Sequence, residues 1–412
     1  MSNIARPNNA PLLTMDEALS ALLARARPVS AVEKVETLNA LGRIVAEPVA
    51  SPLAVPPFDN SGMDGYAVAC ADLDAGGATR LRVAQRIAAG GMGEPLAPGS
   101  AARIFTGAPV PPGSDAVVMQ EYCSVEGDRV VINHPVPPGA NIRRMGEDIA
   151  AGAEILAPGT RIRPQEMGLA ASVGIGRLPV YRRLRVAVFF TGDELVMPGE
   201  ALHPGQIYNS NRFVLGGLLQ ALGCQVTDYG IVPDKLAATS EILARAARDA
   251  DLVVTSGGVS VGEEDHVKAA VEQVGRLDLW RIAIKPGKPL AFGTVGDAFF
   301  VGLPGNPVSA LVTFCLLVRP FLLRCQGARE VLPKSYPVRA EFDCGKPDKR
   351  REFLRARLGR DAGGVIGATL YPHQGSGVLT STTWADGLVE IPAGATVRAG
   401  EVVRFIPFSE LI

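Results

Sequence analysis

Residues 255–265 read TSGGVSVGEED and follow a short apolar run, DLVVTSGG. Glycines between a strand and a helix let backbone N–H groups approach an anion closely, and the helix N-terminus adds positive potential. The spacing is neither G-x-G-x-x-G nor a Walker loop, so those nucleotide chemistries are not implied. A purely structural strand-to-helix turn is the plain alternative. Glu263, Glu264 and Asp265 complicate an anion seat, because bare carboxylates repel phosphate. A divalent metal between the two removes the conflict. Asp265 is the better ligand candidate, and the glutamates favour a helix start.

Other segments carry chemistry of the same kind. IKPGKP (284–289) places Lys285 and Lys288 on one tight loop, where ammonium groups can neutralise a tetrahedral oxyanion. Pro-Gly also marks an ordinary surface turn. FTGDELV (190–196) puts Asp193 and Glu194 after an apolar run, and GLPGNPVSA (302–310) joins a strand to a helix with Asn306 as cap and Pro307 at its first position. PPFDNSGMDGYAV (56–68) holds Asp59 and Asp64 in a turn-rich stretch, and RRMGEDI (143–149) gathers Arg143, Arg144, Glu147 and Asp148, which a solvated ion-pair cluster would also explain. FTGAPVPPGSDAVV (105–118) and HQGSGVLTSTTWADG (373–387) are further Gly-rich polar loops. His134, His203, His266 and His373 form no ligand-spaced pair.

The elements that must position these loops fall into blocks. TMDEALSALLARA is an amphipathic helix with Thr14 as N-cap and Glu17 closing a capping box. VEKVETLNALGRIV reads as a second short helix. Residues 56–142 alternate short apolar runs with Pro and Gly, the texture of a small β domain. From 181 to 328 strands and helices alternate, beginning with the nearly all-apolar RVAVFF, and predict a doubly wound α/β domain that binds ligands at its C-terminal strand ends. Residues 333–412 return to short alternating runs, a second small β domain. The fold class is α/β and β multidomain, with residues 11–55 and 143–180 as a mixed linker domain.

The chain has 412 residues, 47% hydrophobic and 20% charged, so several packed modules are expected rather than disorder. A formal net charge of −1 excludes a global basic field for nucleic acid. The stretch Val308–Leu323, interrupted by Arg319 and Pro320, reads as a buried helix and not a membrane span. Six scattered Cys without a Cys-x-x-Cys pair and a polar N-terminus suit a reduced cytoplasm.

In this order, PPFDNSGMDGYAV, FTGAPVPPGSDAVV, RRMGEDI, TGDEL, QIYNSN, TSGGVSVGEED, IKPGKP, GLPGNPVS and QGSG resemble the molybdopterin molybdenumtransferase family, whose relatives include the C-terminal domain of gephyrin. The resemblance runs from about residue 11 to the end. It implies a four-part elongated subunit, a homodimer, Mg²⁺, and a cleft between the α/β domain and the partner's N-terminal region. Functional expectations pass by motif match to Asp59, Thr106, Asp148, Glu194, Asp234, Asp265, Lys285, Lys288 and Ser376. The sequence departs at His266, where an aromatic often follows the aspartate, at Gly62 in place of Ala, and at Asp386 in place of Asn.

The implied reaction inserts molybdate into adenylated molybdopterin and releases AMP. Asp265 and Glu194 would hold or orient the metal, with Asp234 near the substrate. Backbone N–H groups at Gly257, Gly258 and Ser260 would cradle phosphate. Lys285 and Lys288 would draw in molybdate or phosphate, Thr106 and Ser376 would bind substrate, and Asp59 and Asp148 would reach in from the other subunit. Two alternatives stand beside this one: adenylation of molybdopterin, and a non-catalytic molybdopterin-binding scaffold. An adenylating enzyme and molybdoenzymes would be further partners; nucleic acid and membrane would not.

Overall fold

The computed structural model describes residues 12–258 and 266–412. Its centre is a six-stranded mixed sheet. Strands Gln225–Val232, Arg185–Thr191, Leu252–Ser256 and Ala298–Leu303 run parallel in that order, and Pro289–Val295 and Gly275–Arg281 extend the sheet antiparallel. Strand Arg185–Thr191 explains the winding. Val186, Val188 and Phe190 enter one core; Ala187 and Phe189 enter the other. Both faces are therefore apolar, and each must be covered by helices. Helices Ser210–Ala221 and Pro307–Cys325 cover the first, and Leu236–Asp249 and His266–Val274 the second. Phe189 and Phe190 are fully buried, each worth about 1.5–3 kcal/mol of apolar transfer.

Helix Pro307–Cys325 is long and apolar enough to cross a membrane, but nearly all of it is buried inside the protein. A π-helical turn at Phe314–Val318 precedes Pro320, whose ring nitrogen cannot donate to the helix.

The N-terminal helix Met15–Arg25 has the expected capping box between Thr14 and Glu17 and packs Ala18 and Leu22 into the first core. The second expected helix is not formed. Val32–Glu36 is a strand paired antiparallel with Arg177–Tyr181, followed by a single 3₁₀ turn at Thr37–Asn39. Long-range pairing supplies backbone partners that a short helix carrying β-branched residues and ending at Gly42 could not outcompete.

Two further six-stranded sheets flank this arrangement. One is built from strands between Gly65 and Ile132. The other joins strands between Tyr336 and Pro407 with the short strand Ile284–Lys285 from the α/β region. That last pairing sets Lys285 beside Glu352, and so ties the lysine loop to the C-terminal sheet.

Candidate active site

Register fixes where the loops emerge. Thr191 is level with Val232, Phe190 with Ser256, and Ser256 with Leu303. The loops after these strands thus leave from one sheet edge. The chain turns one way from Arg185–Thr191 to reach Gln225–Val232, while Leu252–Ser256 lies on the other side. That is a topological switch point, where open α/β sheets take ligands.

Glu194, Asp234, Gly257 and Gly258 all lie at this edge. The fit there is close. A Cβ on Gly257 would sit 2.9 Å from the Thr191 carbonyl oxygen, and one on Gly258 would sit 2.5 Å from Val267 Cγ2. Both have positive φ, +95° and +62°, which favours glycine. The Glu194 carboxylate folds back over Gly192, where a Cβ would meet its oxygens at 2.6 and 2.8 Å. Asn211 binds the loops together: its amide donates to Ser256 Oγ (2.8 Å) and to the Gly305 carbonyl (2.7 Å), and Ser256 Oγ donates to the Pro304 carbonyl (2.8 Å). Asp234 Oδ1 is buried with no hydrogen-bond partner among the described residues, a lone acceptor of the kind a cation or donor would satisfy.

The C-terminal sheet reaches the same edge. The Val308 N–H, near the start of the Pro307 helix, donates to the Ser376 carbonyl at 3.0 Å. Asn306 occupies the N-cap position, but its side chain makes no capping bond. The QGSG loop does part of that work instead. Gln374 clamps the loop by pairing with both backbone groups of Arg355 (2.9 and 2.9 Å). The Arg355 guanidinium is fully buried and donates to Ser381 Oγ (3.0 Å), the Gly375 carbonyl (3.1 Å) and the Phe353 carbonyl (3.4 Å). Among the described residues it has no carboxylate partner, and burial lowers its pKa to about 10.

Lys285 is engaged rather than free. Its Nζ lies 2.5 Å from Glu352 and 3.4 Å from Asp348, and the bond to Glu352 raises its pKa. Gly287 (φ +97°) presses this loop onto helix Pro307–Thr313, where a Cβ would meet Thr313 Oγ1 at 2.4 Å. Lys288 is exposed and has no ion pair among the described residues.

Asp59, Thr106 and Asp148 form a second group on the N-terminal side. Asp59 accepts from Met145 N–H (2.8 Å) and Arg144 (2.6 Å), which together lower its pKa. The Asp148 N–H donates to the Val55 carbonyl. Thr106 donates through its N–H and its hydroxyl to Asp64 (both 2.8 Å), and these bonds lower the Asp64 pKa. Among the described residues no hydrogen bond or ion pair joins this group to the sheet edge. Ser260 and Asp265 lie outside the described residues.

Sequence reasoning missed Arg355, Glu352, Asn211 and the Asp64–Thr106 bond as parts of the site. Phe353 and Arg355 stand two apart on one strand, so alternation could have placed Arg355 on an inward face. Asp386, the departure noted above, accepts the Leu358 N–H at 2.8 Å, a role an Asn oxygen fills equally.

Residues 13–174 match the family described as MoeA N-terminal region (domain I and II), residues 187–324 the probable molybdopterin binding domain, and residues 337–408 the MoeA C-terminal region (domain IV). The chain is 42% identical to a molybdopterin molybdenumtransferase of Haemophilus influenzae, over 97% of this chain and all of that one. It is 41% identical to molybdopterin molybdenumtransferase 2 of Mycobacterium tuberculosis, over 89% and 91% of the two chains. A solved molybdopterin biosynthesis moeA protein from Pyrococcus horikoshii superposes with a TM-score of 0.82 at 30% identity, covering 96% of this chain and all of that one.

Proposed function

We infer, because this chain belongs to the molybdopterin molybdenumtransferase family, that it inserts molybdate into adenylated molybdopterin and releases AMP. The observation that carries the reading is the convergence of the loops after Thr191, Val232, Ser256 and Leu303 with the Ser376 loop at one switch point. Backbone N–H groups at Gly257 and Gly258, with Ser260 beyond them, suit a phosphate. Lys288, with no ion pair among the described residues, offers its charge to an oxyanion. Lys285 serves the same anion from a fixed position, held by Glu352. Ser376, from the loop that caps helix Pro307–Thr313, would bind substrate in this reading.

Mg²⁺ fits the donor set. Glu194 and Asp234 supply hard oxygens, and Asp234 Oδ1 has no other partner among the described residues. Among the described residues there is no cluster of three or more His, Cys, Asp or Glu that could hold a metal. Mg²⁺ commonly needs only one or two protein carboxylates beside substrate phosphates and water. Glu194 and Asp265 would hold it, with Asp234 nearby, and the bound ion would neutralise charge developing on the leaving phosphate.

A homodimer completes the site in this reading. Among the described residues no hydrogen bond or ion pair ties Asp59 or Asp148 to the sheet edge of their own chain, and exposed Phe58, Met63 and Met145 flank them, as suits a surface that a second copy covers. Mixing an Asp59→Asn chain with a Lys288→Ala chain would then recover part of the turnover lost by each. No recovery would sink the shared site. Six unpaired cysteines are consistent with a cytoplasmic home. The reaction itself is tested by loading an apo-molybdoenzyme: activity must depend on this chain, adenylated molybdopterin and molybdate together.

A further inference from the structure

The opposite edge of the central sheet opens a cavity of about 730 Å³, within the size range of small-molecule sites. It lies at the N-terminal ends of the parallel strands, away from Gly257 and Lys288. Leu184, Leu252, Phe299 and Phe321 give it an apolar floor. Arg27, Arg182, Arg185 and Arg248 line it with charge, against the two carboxylates Asp251 and Asp297. Asp251 is already shared. It accepts from Arg182 at 2.7 and 2.8 Å and from Arg185 at 3.1 Å. Arg27 donates to the Asp297 backbone carbonyl (3.0 Å), not to its carboxylate. Arg248 has no ion pair among the described residues. Four guanidinium groups against two carboxylates leave an excess of two positive charges. The C-terminal ends of helices Leu236–Asp249 and His266–Val274 also face this edge, and Arg248 in the last turn offsets the first.

The Arg27 guanidinium lies over the Phe299 ring, 4.5 Å from its centroid. A guanidinium held on one aromatic offers its other face to a second planar ring. We propose that this cavity binds a planar heterocycle carrying a phosphate, with the ring on Arg27 and the phosphate at Arg248 and the remaining Arg182 donors. A phosphate monoester brings a charge of about −1.5 to −2, which the guanidinium excess attracts even after about half a negative charge at each helix end is set against it. The site is independent of the proposed reaction at the other sheet edge.

Calorimetric titration of the full chain with AMP tests this, beside adenosine and inorganic phosphate. Lys288→Ala, at the other edge, separates AMP held there from AMP held here. The Arg27→Ala/Arg248→Ala variant changes two exposed side chains, and Arg248→Glu serves if the pair fails to fold. In the Lys288→Ala background AMP should still bind, and adding the arginine substitutions should weaken it at least about tenfold, the effect of a lost charge-assisted hydrogen bond and a lost stacking contact. Adenosine and phosphate should each bind about tenfold more weakly than AMP. Unchanged AMP affinity in the arginine variants would overturn the proposal, as would phosphate binding as well as AMP. The arginines would then only offset Asp251 and the helix ends. Loss of molybdate-dependent AMP release from the wild type would leave this titration untouched, so the two readings fail separately.

Discussion

Replacing Lys285 by Ala separates what this residue does for the fold from what it does for turnover. Its ammonium sits 2.5 Å from Glu352, whose side chain is only 7% exposed, while Lys285 itself is 43% exposed. Breaking a fully buried pair costs about 3–5 kcal/mol, because the surviving charge is stranded. Solvent reaches this lysine, so the expected loss is nearer 2 kcal/mol. That corresponds to roughly 5 °C in the melting of the α/β and C-terminal sheets that the pair joins. Adding Glu352→Gln removes the stranded carboxylate, so the double variant should recover most of the lost stability. Its turnover should stay low, because the positive charge is still missing. Thermal unfolding and molybdate-dependent AMP release, measured on the same preparations, read the two effects. An unchanged melting temperature in Lys285→Ala would refute the ion-pair argument. Turnover restored along with stability in the double variant would reduce Lys285 to a structural role.

Arg355→Met should leave stability within about 1 kcal/mol, since removing a lone buried charge offsets the lost hydrogen bonds; turnover should fall about 100-fold as the Ser376 loop drifts, and comparing denaturant midpoints with rates checks both. Asp251 has its pKa raised by burial but lowered more by Arg182 and Arg185, to about 2. That lies below the ordinary value near 3.9, so its stabilisation of about 2 kcal/mol is complete above about pH 4 and lost as pH falls toward 2; Asp251→Asn should remove this part of the acid-unfolding profile. Gly258→Ala forces a Cβ against Val267 at φ +62° and should cost about 1–3 kcal/mol in urea unfolding, together with most of the turnover.

The sheet was readable because RVAVFF and its successors must be buried on both faces, and strand–helix alternation leaves few topologies. The short segment 32–45 was not, because its pairing partner at 177–181 is over 130 residues away and local propensity says nothing of it. The glycine loops and Lys288 were visible as motifs. The Lys285–Glu352 pair was hidden because it depends on the C-terminal sheet docking against the α/β region, and the Arg355 clamp because its partners Gln374, Gly375 and Ser381 come from loops further along the C-terminal domain. The family resemblance supplied Thr106 and Ser376, but it did not disclose that Thr106 is held by Asp64, or that Ser376 uses its carbonyl to cap the Val308 N–H.

The most direct measurement is AMP release from adenylated molybdopterin by the purified chain with Mg²⁺, with and without molybdate. Molybdate insertion predicts release stimulated by molybdate and accompanied by active cofactor. Tight pterin binding with no stimulation would contradict it in favour of a scaffold, and ATP-dependent adenylation of free molybdopterin in the same tube would contradict it in favour of the preceding step.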